Sequence, residues 1–139
     1  MSEIEKLLPH RKPFLFVDEI VEASNKKIIA NHVFTENEFF FKGHFPGYPV
    51  VPGVILVETM AQAGGAGLRK QAVLGDDSLF FLGTVDKVKL RRQVRPGDEV
   101  RCEIENLRVS PKMIKQRGKA YVGEELAAEA EWMALVGTN

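Results

Sequence analysis

The stretch "VVPGVILVETMAQAGGAGL", residues 50 to 68, decides which fold this sequence can adopt. A helix is predicted to begin near Pro52, which suits a first helical turn, and to end in the cluster Gly64, Gly65 and Gly67. Apolar residues cover almost the whole circumference of this helix, so other structure must enclose it. Because proline, glycine, Glu58 and a glutamine interrupt the run, it is typical of a buried core helix rather than a membrane span.

The residues before this helix predict a short helix and a hairpin. Residues 2–7 begin with a serine that can cap a helix, and a proline follows them. The β-rich segments 14–23 and 26–34 are separated by a turn that contains Ser24 and Asn25.

The residues after the helix predict strands. Within 79–94, apolar and charged residues alternate from Val85 to Val94, as in a half-exposed strand. The segment 125–136 contains good helix formers, but its apolar residues alternate with period two, so we interpret it as a strand. Two more strand candidates cover 99–110 and 112–122.

One enclosed helix and about six antiparallel strands predict an α+β fold. A curled sheet wrapped around the central helix satisfies both elements, and a second subunit could complete the cover of the helix. The 139 residues are about one domain's worth of protein, so a single domain over 1–139 is expected.

Charge and cysteine content exclude several classes of function. The 19 basic residues balance the 19 acidic residues, so no general attraction to nucleic acid or to a membrane is expected. The single cysteine, Cys102, and the lack of metal-ligand spacing favour a reducing compartment and a chain without metal. Because residues 1–14 do not have the pattern of a signal peptide, a cytoplasmic location is expected.

Two ionisable residues stand out in and before the helix. Glu58 lies about two turns into the helix, with Gln62 on the same face at i+4. Burial raises the proton affinity of such a carboxyl and suits it to acid chemistry. His44 lies in the loop "GHFPGYP", where an imidazole can accept a proton, and the amide of Gly53 at the helix start can bind a developing oxyanion.

Structural roles are the alternative for each of these residues taken alone. A single histidine near an apolar run is often a hydrogen-bonded structural residue, and a buried glutamate can belong to a structural pair. The combination of His44, Glu58, Gln62 and a helix N-terminus favours catalysis. His10 and His32 are assigned structural or surface roles.

The motifs "GHFPGYPVVPG" and "ETMAQAGG" resemble the active-site loop and helix of the (3R)-hydroxyacyl-[acyl-carrier-protein] dehydratases of the FabZ type. The segments "LLPHRKPFLFVDEI" and "FLGTVDKVKLRRQVRPGDEV" also resemble motifs of that family. The resemblance implies a hot-dog fold and the dehydration of (3R)-hydroxyacyl-acyl-carrier-protein thioesters to trans-2-enoyl thioesters in bacterial type II fatty-acid synthesis. The resemblance implies no cofactor, and it implies that the substrate is carried on the phosphopantetheine arm of acyl carrier protein.

Position by position, the resemblance implies that His44 and Glu58 are catalytic and that Gly53 and Gln62 help to bind the substrate. It also implies a homodimer in which His44 of one chain meets Glu58 of the other, with trimers of dimers common in the family. Two departures, Lys12 and Leu90, stand where aromatic residues are usual, and they concern the acyl tunnel.

A basic rim is expected to receive the acidic acyl carrier protein, although charges on an alternating strand are often only solvated. Two other functions stay open, an acyl-thioester hydrolase on the same fold and a non-catalytic acyl-binding module. Phenylalanines, among them Phe80 and Phe81, could line an acyl tunnel or belong to the ordinary core. The candidate rim residues are Lys87, Lys89, Arg91, Arg92 and Arg95.

Overall fold

The computed structural model describes residues 1–138, and it arranges them as a curled antiparallel sheet around one long helix. The six strands lie in the order β1-β2-β4-β5-β6-β3. This architecture confirms the predicted α+β hot-dog fold. The elements are α1 (Glu3–Leu7), β1 (Glu19–Ala23), β2 (Lys27–Val33), a 3-10 helix (Phe39–Lys42), α2 (Gly53–Lys70), β3 (Ser78–Leu90), β4 (Glu99–Val109), β5 (Met113–Val122) and β6 (Glu125–Thr138).

The predicted N-terminal helix and hairpin are confirmed, and local hydrogen bonds explain their boundaries. Ser2 caps α1 through a capping box with Glu5, in which each side chain accepts a hydrogen bond from the other residue's backbone amide. In the turn between β1 and β2, the Ser24 side chain accepts a hydrogen bond from the Lys27 amide. The side chain thereby closes the turn.

The ambiguous C-terminal segment is a strand, as predicted. On β6, Ala128, Ala130, Trp132 and Ala134 are all buried, which matches the period-two pattern of its sequence. The indole of Trp132 donates a hydrogen bond to Gln116 on β5, so the polar group of this large side chain is satisfied inside the core.

Helix α2 continues through the glycine cluster to Lys70, so the predicted end of the helix was wrong. The reason is packing rather than termination. A Cβ added at Gly64 would collide with Gln116, and one added at Gly65 or Gly67 would approach Phe80 or Ile28 to 2.8 and 2.5 Å. These glycines therefore let the sheet approach the helix backbone closely.

Strand β3 forms one edge of the sheet, and its residues from Leu82 to Leu90 are exposed on both faces. In the single chain, β3 is therefore more exposed to solvent than the half-exposed strand that the alternation predicted. Apolar side chains such as Phe81, Val85 and Leu90 remain between 42% and 57% exposed. A long apolar edge strand of this kind is suited to pairing with another chain.

Candidate active site

The loop between the 3-10 helix and α2 fixes the ring of His44. The Nδ1 atom of His44 lies 3.0 Å from the carbonyl oxygen of Val50, and the ring stacks on Phe45 with 4.2 Å between ring centroids. Because a carbonyl can only accept, Nδ1 carries the hydrogen in the neutral ring. The lone pair of Nε2 is then free to accept a proton, as a general base requires.

Glu58 lies in a largely apolar cavity of about 290 Å³ between α2 and the sheet. Burial raises the pKa of its carboxyl, and a hydrogen bond from Gln62 opposes this rise. A carboxyl with a raised pKa holds its proton more readily near neutral pH and can serve as an acid. The other lining residues are His10, Ala61, Gln62, Phe80, Phe81, Leu82, Ile114 and Ala134.

Gln62 connects Glu58 to the N-terminal segment. Its Nε2 donates to Glu58 Oε2 at 2.9 Å and to the Phe14 carbonyl at 3.0 Å, and its Oε1 accepts from the Phe16 amide at 2.8 Å. The side chain is 1% exposed, and both of its amide hydrogens are used within the chain. Gln62 therefore holds the glutamate in position, and direct contact with substrate stays a prediction.

His10 is the residue that the sequence reasoning missed. Its Nε2 lies 3.6 Å from Glu58 Oε2, and it lines the same cavity. Its position in the N-terminal motif gave no sign of this contact, since the two residues are 48 positions apart in the sequence. His32, in contrast, is buried between two carboxylates away from this cavity, in agreement with a structural role.

Gly53 begins α2 at a second, smaller cavity of about 230 Å³. A side chain at this position would collide with Leu90, one of the two departures from the family pattern. The first amide groups of α2 have no partner within the helix and lie at the positive end of its dipole. This position is suited to the predicted oxyanion contact.

The structure does not bring His44 and Glu58 together within one chain. Among residues 1–138, no hydrogen bond or ion pair joins them, and His44 is absent from the lining of the Glu58 cavity. Between the two positions, α2 exposes Val54, which is 76% accessible one turn before Glu58. Contact of His44 with Glu58 of a second copy of the chain stays a prediction.

Most of the predicted basic rim is engaged with other groups of the same chain. Three of its residues pair with glutamates of β6: Lys87 with Glu131 at 3.1 Å, Arg91 with Glu129 at 3.0 Å and Arg92 with Glu125 at 3.8 Å. Arg95 lies over the ring of Tyr48 and donates to the carbonyl of Pro49. In the described part of the chain, Lys89 has no ion pair. Docking of a carrier protein at this rim stays a prediction.

Residues 1–138 contain no group of three or more His, Cys, Asp or Glu side chains placed to hold a metal ion. No helix in this part of the chain has the length and apolar character needed to cross a membrane.

Comparisons with known proteins show the family to which the chain belongs. The model of the FabA-like domain family matches residues 8–131. The chain is 46% identical to the 3-hydroxyacyl-[acyl-carrier-protein] dehydratase FabZ of Desulforamulus reducens, over 99% of this chain and 96% of the relative. It is 44% identical to the enzyme of the same name from Pelotomaculum thermopropionicum, over 98% and 97%.

Among solved structures, the dehydratase heterocomplex ApeI:P from Xenorhabdus doucetiae is similar in fold. The TM-score is 0.85 at 17% identity, with 100% of this chain and 93% of that chain covered. That likeness concerns the fold alone. Through the family model and its close relatives, the chain belongs to the FabA-like family and, within it, to the FabZ-type 3-hydroxyacyl-[acyl-carrier-protein] dehydratases.

Proposed function

We propose that His44 and Glu58, contributed by two copies of the chain, remove water from (3R)-3-hydroxyacyl thioesters to give trans-2-enoyl thioesters. The chain is a 3-hydroxyacyl-[acyl-carrier-protein] dehydratase, a lyase of fatty-acid biosynthesis. The observation that best supports these residue roles is the environment of Glu58, which lies in an apolar cavity with a raised pKa and a fixed orientation.

The mechanism transfers two protons, one from C2 to His44 and one from Glu58 to the hydroxyl group on C3. His44 Nε2 takes a proton from C2, and the electron pair of that C–H bond forms the C2=C3 double bond as the C3–O bond breaks. Glu58 gives its proton to the departing hydroxyl group, which leaves as water. The Gly53 amide stabilises the negative charge that develops on the thioester oxygen. This scheme moves protons only, so it needs no metal, nucleotide or flavin.

The Glu58 cavity offers room for the acyl chain next to the acid. Phe80, Phe81 and Leu82 of β3 line the cavity, and Ala61 of α2 lines it about one turn after Glu58. An apolar lining lowers the free energy of a bound acyl chain and excludes water from the reacting carbons. Phe40 and Phe41, in contrast, belong to the hydrophobic core.

A homodimer would bring the two halves of the site together. The open edge of β3 and the exposed Val54 on α2 both offer apolar contacts to a second copy. Pairing of the two β3 edges would satisfy their backbone groups and place the loop of His44 against the helix of the other copy. Assembly into trimers of dimers remains an expectation from the family resemblance.

We also propose which protein brings the substrate and where in the cell the chain acts. The acyl carrier protein that brings the substrate is proposed to dock at the rim formed by Lys87, Lys89, Arg91, Arg92 and Arg95. A single catalytic domain over residues 1–139 and a cytoplasmic location complete the proposal.

The test of the reaction uses a (3R)-3-hydroxybutyryl thioester. We expect absorbance of the conjugated enoyl thioester to rise with the wild-type protein and to fall below about 1% of that rate with His44→Ala or Glu58→Gln. Free thiol, measured in the same reaction, would indicate hydrolysis instead. Binding of the thioester without either product would indicate an acyl-binding module.

A further inference from the structure

The side chain of His10 faces Glu58 inside the candidate active site. Its Nε2 lies 3.6 Å from Glu58 Oε2, and each of the two side chains is 20% exposed. Its Nδ1 is buried and has no hydrogen-bond partner within residues 1–138. The polar interaction available to His10 is therefore the one with Glu58.

The backbone on both sides of His10 is fixed. The guanidinium of Arg11 donates to the carbonyls of Leu8 at 2.8 Å, His10 at 2.6 Å and Glu5 at 3.0 Å. A few residues later, Gln62 holds the segment by its hydrogen bonds to Phe14 and Phe16. These contacts place the imidazole against the carboxyl without help from substrate.

The protonation state of His10 suits it to donate a hydrogen bond. Burial lowers the pKa of His10, and the charge of Arg11 lowers it further, so the ring is neutral near pH 7. A neutral ring that faces a carboxylate oxygen through Nε2 carries its hydrogen on Nε2. The 3.6 Å separation is longer than a normal hydrogen bond, but such contacts often shorten when substrate binds.

His10 and Gln62 both contact the same carboxyl oxygen of Glu58. The contact from each residue ends on Oε2, and no hydrogen bond or ion pair in residues 1–138 ends on Oε1. A carboxyl group whose Oε2 already accepts two donors carries its own proton on Oε1. That atom is then the one available to the departing hydroxyl group.

We propose that His10 is a positioning residue, which together with Gln62 holds Oε2 of Glu58 so that Oε1 delivers the proton. This inference rests on the proposed function, because it assigns the atom through which Glu58 acts. It also predicts that His10 affects the pH at which Glu58 loses its proton. In the described chain, the remaining cavity residues from α2, β3, β5 and β6 carry no charge, so His10 is the titratable group that faces Glu58. In the proposed dimer, His44 of the second copy is added.

The test compares His10→Leu, which removes the donor, with His10→Gln, which keeps an N–H group. We expect His10→Leu to lower kcat by roughly tenfold to a hundredfold, the size expected for a hydrogen bond to a charged group, while KM changes little. Loss of the donor destabilises the Glu58 anion, so the basic limb of the kcat profile should move to higher pH. His10→Gln should recover most of kcat and the wild-type profile.

Two results would overturn the inference. One is a His10→Leu enzyme with the wild-type kcat and pH profile. The other is equal loss in both variants with an unchanged basic limb, which would mean that His10 only packs the loop.

A second readout keeps this test separate from the test of the reaction. If the wild-type protein makes no enoyl thioester, the proposed function fails, but NMR titration of ¹³C-labelled glutamate still reports on His10. We then expect the Glu58 resonance to titrate at higher pH in His10→Leu than in the wild type. Identical titrations would contradict the inference.

Discussion

His32 lies between two carboxylates, and one of them comes from the residue that precedes the 3-10 helix. Its Nδ1 is 2.8 Å from Asp18 Oδ1, and its Nε2 is 2.8 Å from Glu38 Oε2. Burial of the ring disfavours its charge, but the two carboxylates outweigh burial and raise its pKa from 6.5 to about 9. Glu38 directly precedes the 3-10 helix, so this ion cluster fixes the start of the segment that carries His44.

This cluster predicts a pH dependence of stability. Because the pKa of His32 is higher in the folded protein, its stabilisation is complete below about pH 6.5 and is lost as the pH rises through about 9. A shift of this size corresponds to about 3 kcal/mol. We expect the free energy of unfolding of the wild type, measured in urea, to fall between pH 7 and pH 10 more than that of His32→Gln. Parallel curves for the two proteins would contradict the assignment.

Replacement of Gln62 is expected to lower both stability and activity. Replacing it with leucine leaves the Phe14 carbonyl and the Phe16 amide without their partner and removes a donor from Glu58. Buried polar groups without partners cost about 1–3 kcal/mol each, so Gln62→Leu should lower the melting temperature and also reduce kcat. Differential scanning calorimetry and the enoyl assay measure the two effects. A variant that keeps both values would show that these hydrogen bonds matter little.

At the scale of single residues, the sequence predicted what depends on local spacing. The placement of Glu58 and Gln62 on one helix face follows from their i+4 relation, and the structure confirms their hydrogen bond. The contact of His10 with Glu58 depends on how a distant loop folds back over α2, which no local pattern reports. The ion pairs that Lys87 and Arg91 of the rim form with glutamates of β6 were missed for the same reason.

At the scale of elements, the packing of α2 against the sheet depends on its glycines. Alanine is a better helix former than glycine by about 1 kcal/mol, so Gly67→Ala would stabilise an isolated helix. In this fold, the added Cβ would lie 2.5 Å from Ile28 Cγ2, which is too close. We therefore expect Gly67→Ala to lower the free energy of unfolding by about 1–3 kcal/mol.

A double-mutant cycle separates overpacking from other effects. Ile28→Ala alone should destabilise by leaving a cavity, but in combination with Gly67→Ala it also removes the clash. The double variant should be more stable in urea than the sum of the two single effects predicts. Additive effects would mean that the helix and β2 do not meet at these two residues.

The element predictions succeeded where sequence period alone decides the structure, and failed where packing decides. The alternation of β6 was sufficient to identify a strand despite its helix-forming residues. The glycine cluster predicted a helix end, because glycine favours termination, but in α2 these glycines allow close contact with the sheet. Exposure of β3 on both faces depends on its place at the edge of the sheet, which its own sequence does not report.

At the scale of the whole molecule, the proposed dimer predicts which surface tolerates a charge. Val54 is 76% exposed on α2 in the single chain, whereas Val21 is 59% exposed on β1 at the opposite edge of the sheet. Aspartate is favourable in the first turn of a helix, so Val54→Asp should fold as a monomer but fail to dimerise and lose activity. Val21→Asp is the matched control and should stay dimeric and active. Light scattering after gel filtration measures both masses, and a dimeric, active Val54→Asp would rule out this interface.

Docking of acyl carrier protein at the basic rim can be tested by reversing two of its charges. Replacing Arg91 and Arg92 with glutamate places negative charges where an acidic partner would approach. We expect KM to rise at least about tenfold for the carrier-bound substrate and little for a small thioester. The control exchanges two exposed lysines of β5, Lys115 and Lys119, in the same way. Equal effects on both substrates, or from both pairs of substitutions, would remove the docking proposal.

The central claim is that each active site combines His44 of one chain with Glu58 of another. The most direct test is a heterodimer of His44→Ala and Glu58→Ala chains, co-expressed with two different tags and purified through both. One of its two sites would contain both native residues, so we expect about half the wild-type kcat, while each mutant homodimer is inactive. If both residues act within one chain, each site of the heterodimer lacks one of them, and a purified but inactive heterodimer would contradict the account.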